Sequence, residues 1–110
     1  MDNRARALQA KALKALAHPR RIAMLDMMRD GEVCVCEMGP QLGLAQANVS
    51  QHLAILRDSH LVATRRDSTR VMYRVTDSRV FDVLDMVAAI AHNQFDEAVQ
   101  ALASLHENNA

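Results

Sequence analysis

The sequence predicts one small, mainly α-helical domain that carries a single β-hairpin, an α+β fold class. The chain has 110 residues, enough for one domain with a modest core and too few for two. Half of the residues are hydrophobic but only 3% are aromatic, and an apolar mass of Ala, Leu, Val, Ile and Met favours helices packed on helices. One Arg-rich stretch alternates apolar and polar residues, which is the period of a strand. We therefore treat residues 1–110 as a single domain.

Two helices are predicted in the first third of the chain. Arg4 to Ala17 repeats apolar residues at helical spacing and contains no helix breaker. His18-Pro19 interrupts this pattern, and Pro19 suits the first position of a second helix because the proline N–H is not needed there. The second helix is expected to end before Gly31.

A helix-turn-helix followed by a β-hairpin is predicted in the middle of the chain. Glu32 to Leu42 and Gln46 to Asp58 have helical patterns joined by a short turn that contains Gly43. This is the layout of a helix-turn-helix at about residues 33–58. Leu61 to Arg66 and Thr69 to Val75 alternate apolar and polar residues and predict a hairpin at about residues 61–75. A hairpin in this position is called a wing, so the predicted architecture is a winged helix-turn-helix.

A long last helix is predicted from about residue 77 to about residue 106, with Asp77 suited to cap its start. The first and last helices carry more apolar surface than one small domain needs to bury. We therefore expect the two helices to pack across a twofold axis in a homodimer. The apolar stripes that support this expectation are Leu8, Leu13 and Leu16, and Leu84, Val87 and Ala91.

Charge is unevenly spread along the chain, although the formal net charge is zero. Residues 1–29 hold seven Lys or Arg, whereas residues 80–110 hold five acids and no Lys or Arg. Such polarity indicates a basic working face and an acidic end directed away from it. The chain has no apolar run of about eighteen residues and starts with charged residues rather than a signal peptide. We therefore expect a cytoplasmic protein with no membrane partner.

The second helix of the predicted motif carries a polar face suited to double-stranded DNA. Asn and Gln can pair bidentately with adenine in the major groove, and Ala can contact a thymine methyl group. Ser50 suits a phosphate or a base edge. His52 suits a phosphate, with a histidine packed inside the fold as the equal alternative. The predicted DNA-reading residues of this helix are Gln46, Ala47, Asn48, Ser50, Gln51 and His52.

The hairpin adds four arginines to this surface. Guanidinium groups bind phosphates or enter the minor groove and supply the sequence-independent part of DNA affinity. A basic hairpin alone is weak evidence for such binding, but one directly after a helix-turn-helix is more specific. The predicted wing contacts are Arg65, Arg66, Arg70 and Arg74.

The cysteines of the chain, Cys34 and Cys36, stand two residues apart. In a reducing cytoplasm a structural disulfide is not expected. Cys34 falls where a helix cap belongs, with Glu37 as its capping-box partner, and Cys36 falls in the first turn, where the helix dipole favours the thiolate. Helical residues two apart diverge by about 200°, so both sulfurs reach one ion only if Cys34 lies outside the helix or the first turn unwinds. Thiolates select soft ions, here arsenite, antimonite, cadmium, lead or zinc.

Four segments of the sequence together resemble the arsenic-repressor (ArsR/SmtB) family. They are Ala15–Arg21, Glu32–Met38, Val49–Leu53 and the hairpin Arg65–Arg74, within a similarity that covers about residues 8–92. The resemblance implies a homodimeric winged helix, dimerised through its first and last helices. It also implies that the apo protein binds operator DNA without a cofactor and that metal binding weakens the complex.

The resemblance further implies that Cys34 and Cys36 form the arsenite or cadmium site and that residues 50–52 belong to the recognition helix. The sequence departs from the family pattern at two places. Ala45 stands where the family usually has a Ser or Thr cap, and Gly39-Pro40 interrupts a helix that is normally regular. Both departures predict a looser helix-turn-helix.

The expected function is a transcriptional repressor that leaves its operator when a soft metal or metalloid, arsenite first among them, binds the two cysteines. A cadmium, lead or zinc sensor of the same fold is one alternative. A repressor whose cysteines sense oxidants or persulfides is another. A constitutive DNA-architectural protein is a third. An enzyme is not expected, because the sequence offers no base beside the cysteines and no Gly-rich loop.

Overall fold

The helices and strands of the protein are described from a computed structural model, which gives the backbone of residues 2–108 and the side chains of residues 2–105. In chain order the elements are α1 (Asn3–Leu16), α2 (Pro19–Met27), β1 (Val33–Cys34), α3 (Val35–Leu42), α4 (Gln46–Asp58), β2 (Val62–Asp67), β3 (Arg70–Val75) and α5 (Arg79–Asn108). This order contains the predicted helix-turn-helix, hairpin and long last helix.

The starts of α2 and α5 follow the local signals in the sequence. His18 caps α2 by accepting a hydrogen bond at Nδ1 from the Arg20 N–H (3.1 Å), and Pro19 lies in the first turn. Asp77 accepts a hydrogen bond at Oδ1 from the Arg79 N–H (2.9 Å), so the predicted cap of α5 is confirmed. The side chain of Arg79 also bonds this carboxylate and lowers the pKa of Asp77 to about 2.

The predicted start of the third helix is wrong. Helix α3 begins at Val35 rather than at Glu32, because Val33–Cys34 is extended and forms β1. This strand pairs antiparallel with β3, with Val33 opposite Tyr73 and Cys34 opposite Met72. The result is a three-stranded sheet in the order β1-β3-β2, to which the predicted hairpin contributes two strands.

The turn between α3 and α4 depends on Gly39. The carbonyl of Gly39 accepts a hydrogen bond from the Leu44 N–H (3.0 Å), and a Cβ at position 39 would lie only 2.9 Å from the Leu44 carbonyl oxygen. Only glycine permits this approach without a backbone shift. The expected interruption at Gly39-Pro40 is wrong, since α3 continues through Pro40 to Leu42. The expected absence of a side-chain cap at Ala45 is confirmed.

The hydrophobic core lies between the helices and the inner face of the sheet. Side chains from α1, α2, α3, α4, β2 and α5 meet there, and five of them have no exposed surface: Met24, Leu25, Met38, Leu53 and Leu56. Leu16 and Leu84, which the sequence assigned to a dimer surface, are each 9% exposed and belong mainly to this core.

Helix α5 is continuous through Asn93 and extends beyond the core. Arg29, which follows α2, holds the first half of α5 in place. The Arg29 guanidinium donates two hydrogen bonds to Asp85 (2.7 and 3.1 Å) and lies over the Phe81 ring. Farther along α5, large apolar side chains are exposed at Met86, Val87, Ile90, Phe95, Val99, Leu102 and Leu105. No helix in the described range 2–108 is long and apolar enough to cross a membrane.

Candidate DNA interface and thiol site

Helix α4 presents a polar face to solvent. Its apolar stripe, Val49, Leu53 and Leu56, is almost fully buried. The opposite face carries four of the predicted DNA-reading residues with exposed side chains, Gln46, Ala47, Ser50 and Gln51. Packing therefore fixes the rotation of the helix and leaves amide and hydroxyl groups free to reach base edges.

A contact from α2 holds Asn48, a further predicted reading residue. Arg20 donates a hydrogen bond from Nη1 to Asn48 Oδ1 (3.0 Å), and Asn48 is half-buried. This interaction leaves the Asn48 amide N–H groups for an acceptor on DNA and places a cation beside the first turn of α4. Sequence reasoning missed Arg20, because positions 20 and 48 meet only through the packing of α2 on α4.

His52, predicted as a DNA contact, lies inside the fold instead. It is 9% exposed, its Nδ1 lies 3.2 Å from Arg21 Nη1, and its ring centroid lies 4.5 Å from that of His18. Arg21 is also buried and donates to the carbonyls of Ala15 (2.6 Å) and Lys14 (3.2 Å). The guanidinium thus joins the end of α1 to the middle of the recognition helix. Here the alternative of a histidine packed within the fold is the correct one.

This environment makes stability depend on pH through His52. Burial, followed by the neighbouring His18 and Arg21, lowers the pKa of His52 below its ordinary value of 6.5. The unfolded chain therefore binds a proton more readily than the folded one. We expect the free energy of unfolding to be highest above pH 6.5 and to fall as the pH drops through the folded pKa. Urea denaturation between pH 5 and 8 measures this slope, which His52→Gln should flatten. An equal slope in wild type and variant would contradict this role of His52.

The two cysteines lie at the junction of β1 and α3. Cys34 is the N-cap of α3 with extended backbone (φ −69°, ψ 135°), and its Sγ accepts a hydrogen bond from the Cys36 N–H (3.1 Å). Cys34 therefore lies outside the helix, the arrangement that the sequence required for the two sulfurs to meet. The sulfurs form a disulfide, with the Cα atoms 5.1 Å apart. The structure thus differs from the expectation of two free thiols.

Two ion pairs join the wing (residues 62–75) to the thiol segment (residues 32–37). Arg65 donates from Nε and Nη2 to the carboxylate of Glu32, and Arg70 donates from Nη2 to Glu37 Oε1 (3.3 Å). Glu37 therefore does not act as the predicted capping-box partner, because its carboxylate faces the wing. The Arg65 guanidinium also lowers the pKa of Glu32. Arg65 and Arg70, two of the predicted DNA contacts, are thus held by carboxylates that flank the cysteines in the sequence. The other two wing arginines, Arg66 and Arg74, are exposed.

Releasing one of these arginines should strengthen DNA binding. In Glu37→Gln, Arg70 loses its carboxylate partner and becomes free to neutralise a phosphate. Each phosphate contact contributes about −0.9 to the slope of log K against log salt, so the variant should bind more tightly at low salt with a slope steeper by roughly one. Fluorescence anisotropy over a salt series measures both quantities. Glu37→Gln/Arg70→Gln is the control; a gain that persists in this double variant would show that Glu37 acts by general repulsion of DNA.

A cavity of about 550 Å³ adjoins the disulfide and reaches both DNA-binding elements. Its lining includes both cysteines, Gln46 of α4, and Thr69 and Arg70 of the wing. Among the side chains of residues 2–105, no three His, Cys, Asp or Glu are close enough together to hold a metal ion. The thiol pair therefore offers at most two protein sulfurs to a soft ion, and only after reduction.

Comparisons with known proteins identify the family of this chain. The family model described as "Bacterial regulatory protein, arsR family" matches residues 18–64. The biofilm growth-associated repressor of Xylella fastidiosa (strain Temecula1) is 34% identical over 98 residues, 89% of this chain and 85% of that protein. The chain belongs to the ArsR family. The HTH-type transcriptional regulator NmtR of Mycobacterium tuberculosis is 34% identical over 94 residues, 86% of this chain and 77% of its own length.

Solved structures agree with this assignment to the ArsR family. HlyU from Vibrio cholerae superposes with a TM-score of 0.71 at 34% identity, over 82% of this chain and 97% of that one. The homodimeric winged helix-turn-helix DNA-binding domain from Mycobacterium bovis, a possible ArsR-family regulator, gives a TM-score of 0.75 at 29% identity, over 88% and 93%. The predicted winged helix-turn-helix is confirmed. The chain is thus a DNA-binding transcription regulator of the ArsR family.

Proposed function

We propose that the chain is a transcriptional repressor that binds operator DNA as a homodimer and releases it when Cys34 and Cys36 react. The observation that carries the DNA-binding part is the exposed polar face of α4 beside the four wing arginines. The face reads bases in the major groove, and the arginines supply phosphate contacts. A relative described as a repressor supports the direction of regulation.

The exposed apolar side chains of α1 and α5 are the proposed dimer surface. Leu8 and Leu13 of α1 are 65% and 51% exposed, and Val87 and Ile90 of α5 are each 56% exposed. Side chains of this kind gain roughly 1.5–3 kcal/mol each when fully buried. A homodimeric relative of similar fold supports a second copy of the chain as the occupant.

Sedimentation equilibrium tests the dimer and its DNA complex together. At micromolar concentration the protein should sediment at twice the chain mass of 12.2 kDa, and a palindromic duplex should bind two chains. Val87→Asp should shift the free protein towards monomer, because a carboxylate buried in this apolar surface lacks a partner. Ile55→Asp, exposed on α4, is the matched control and should remain dimeric. A monomeric wild type would contradict the proposed assembly.

Arsenite is the effector that we propose first for the reduced pair. Thiolates are the ligands that soft ions prefer, and the extended backbone of Cys34 brings its sulfur to that of Cys36. Arsenite seeks three sulfurs, whereas the chain supplies two. A third from the partner subunit is not expected, since recognition helices of a palindrome-binding dimer lie about 34 Å apart. We therefore assign one ion per chain, with an oxygen or a small added thiol as the third ligand.

X-ray absorption on the arsenite-loaded, reduced protein tests this coordination. In thiol-free buffer we expect two sulfur neighbours per arsenic, and added glutathione should raise both the sulfur count and the affinity. Three sulfurs without added thiol would mean that the site bridges chains. No binding of arsenite under either condition would exclude it as the effector.

A redox-sensing repressor is the second candidate, and the disulfide is the observation that favours it. Its formation consumes the two thiolates that bind a soft ion. Oxidation to the disulfide and binding of a soft ion are therefore mutually exclusive for Cys34 and Cys36. Cadmium, lead and zinc remain further candidates for the reduced form, because they accept thiolate ligands as well.

A further inference from the structure

The two sulfurs of the disulfide differ in access and in hydrogen bonding. Cys34 is 1% exposed, whereas Cys36 is exposed. The Cys34 sulfur accepts a hydrogen bond from the backbone N–H of Cys36 (3.1 Å). This sulfur lies at the amino end of α3. Thiol–disulfide exchange depends on which sulfur is accessible and on how well the departing thiolate is stabilised. Both factors select the same outcome, which is attack at Cys36 and departure of Cys34.

The cavity beside this sulfur has the lining of a binding site for a small organic anion. Its volume of about 550 Å³ falls within the range of about 300–1,000 Å³ found for small-ligand pockets. Pro40, Leu44 and Val49 give it an apolar wall. Polar groups come from Thr69, Gln46 and the guanidinium of Arg70, which is the cation among the lining residues.

Arg70 has donors to spare for such an anion. Its guanidinium carries five N–H groups, and Glu37 engages one nitrogen, Nη2, at 3.3 Å. Both partners of this ion pair are about half exposed, so solvent weakens the pair and a carboxylate entering the cavity can compete with Glu37. A planar carboxylate matches the geometry of the guanidinium better than a neutral or cationic group does.

We propose that this cavity binds a small thiol bearing a carboxylate, the chemical class of glutathione, and that this thiol modifies Cys36. The carboxylate pairs with Arg70 while the thiolate faces the exposed sulfur. The bound thiolate attacks Cys36 Sγ, a new S–S bond forms between ligand and Cys36, and the Cys34–Cys36 bond breaks. The electron pair stays on Cys34 Sγ, where the Cys36 N–H stabilises the thiolate. The exchange needs no added oxidant or reductant, because one disulfide replaces another.

The modification places a ligand between the recognition helix and the wing. The cavity is walled by Gln46 at the start of α4 and by Thr69 and Arg70 of the wing, so an attached ligand occupies space beside two predicted DNA contacts. The expectation that this adduct weakens operator binding rests on the proposed function, in which the two cysteines control the release of DNA. The binding and modification themselves do not rest on it.

The test compares three thiols on the oxidised full-length protein by mass spectrometry. 3-Mercaptopropionate, 2-mercaptoethanol and cysteamine are anionic, neutral and cationic respectively, and rates of disulfide loss are compared at equal thiolate concentration. The anionic thiol should react severalfold faster than the cationic one. Peptic mapping after acid quench should find the adduct on Cys36. Arg70→Gln should remove the preference, whereas Arg66→Gln, a wing arginine outside the cavity lining, should retain it.

Three results would overturn the inference: an adduct mainly on Cys34, equal rates for the three thiols, or equal loss of preference in both arginine variants. None of these readouts involves DNA. A Cys36 adduct with the expected preference that leaves operator affinity unchanged supports the binding site and contradicts the proposed sensing role instead.

Discussion

Gln51→Ala is expected to weaken binding to the operator by about 1–3 kcal/mol, roughly 5–150-fold, and to relax base preference at one position of each half-site. Gln51 is exposed on the reading face of α4, and a Gln amide pairs bidentately with adenine. Fluorescence anisotropy with the operator and with duplexes substituted at single positions measures both effects. Asn48→Ala should have a similar effect, because it removes the amide that Arg20 orients.

Arg66→Ala is the matched control for this experiment. Arg66 is exposed on the wing, and loss of a phosphate contact should weaken all sequences alike and reduce the salt slope by about one. If Gln51→Ala left affinity and base preference unchanged, or behaved like Arg66→Ala, the assignment of the reading face on α4 would be wrong.

Cys34→Ser and Cys36→Ser are each expected to keep operator binding and to lose effector-dependent release. The sulfurs are needed for sensing, whereas neither lies on the reading face of α4. The lost coupling should amount to about 1–3 kcal/mol, the usual range for allosteric linkage. Release curves with arsenite on the reduced proteins measure it.

The two serine variants need different controls, because the two cysteines differ in burial. Cys36 is exposed, so Cys36→Ser changes the thiol chemistry with little effect on packing. Cys34 is 1% exposed, and its variant needs a denaturation curve to show that the fold is retained. A double serine variant that still left the operator on addition of arsenite would place the sensor elsewhere in the chain.

Elements with strong local signals were predictable from the sequence alone. Helix α4 has the predicted bounds, Gln46–Asp58, because a regular apolar stripe and a preceding Gly-containing turn define it. The hairpin could be predicted from alternation, and the cap at Asp77 from its side chain. Cys34 was correctly placed as a cap, since short polar or polarisable side chains at that position accept the free N–H groups of the first turn.

Features that depend on distant residues were not predictable. Strand β1 has only two residues and exists because β3 offers a pairing edge 38 positions farther along the chain, as in Cys34 opposite Met72. The burial of His52 follows from Arg21, which reaches it from another helix. The ion pairs of Glu32 and Glu37 likewise require the wing to fold back over the thiol segment.

The most direct test of the account is a gel-shift titration of the reduced wild-type protein on its operator, with arsenite, cadmium, zinc and peroxide in parallel. We expect a stable complex without effector and release by arsenite at the lowest concentration. The complex should re-form when a competing dithiol removes the arsenic. A complex that withstands all four reagents, at concentrations that modify Cys34 and Cys36, would contradict the claim that these cysteines control DNA binding.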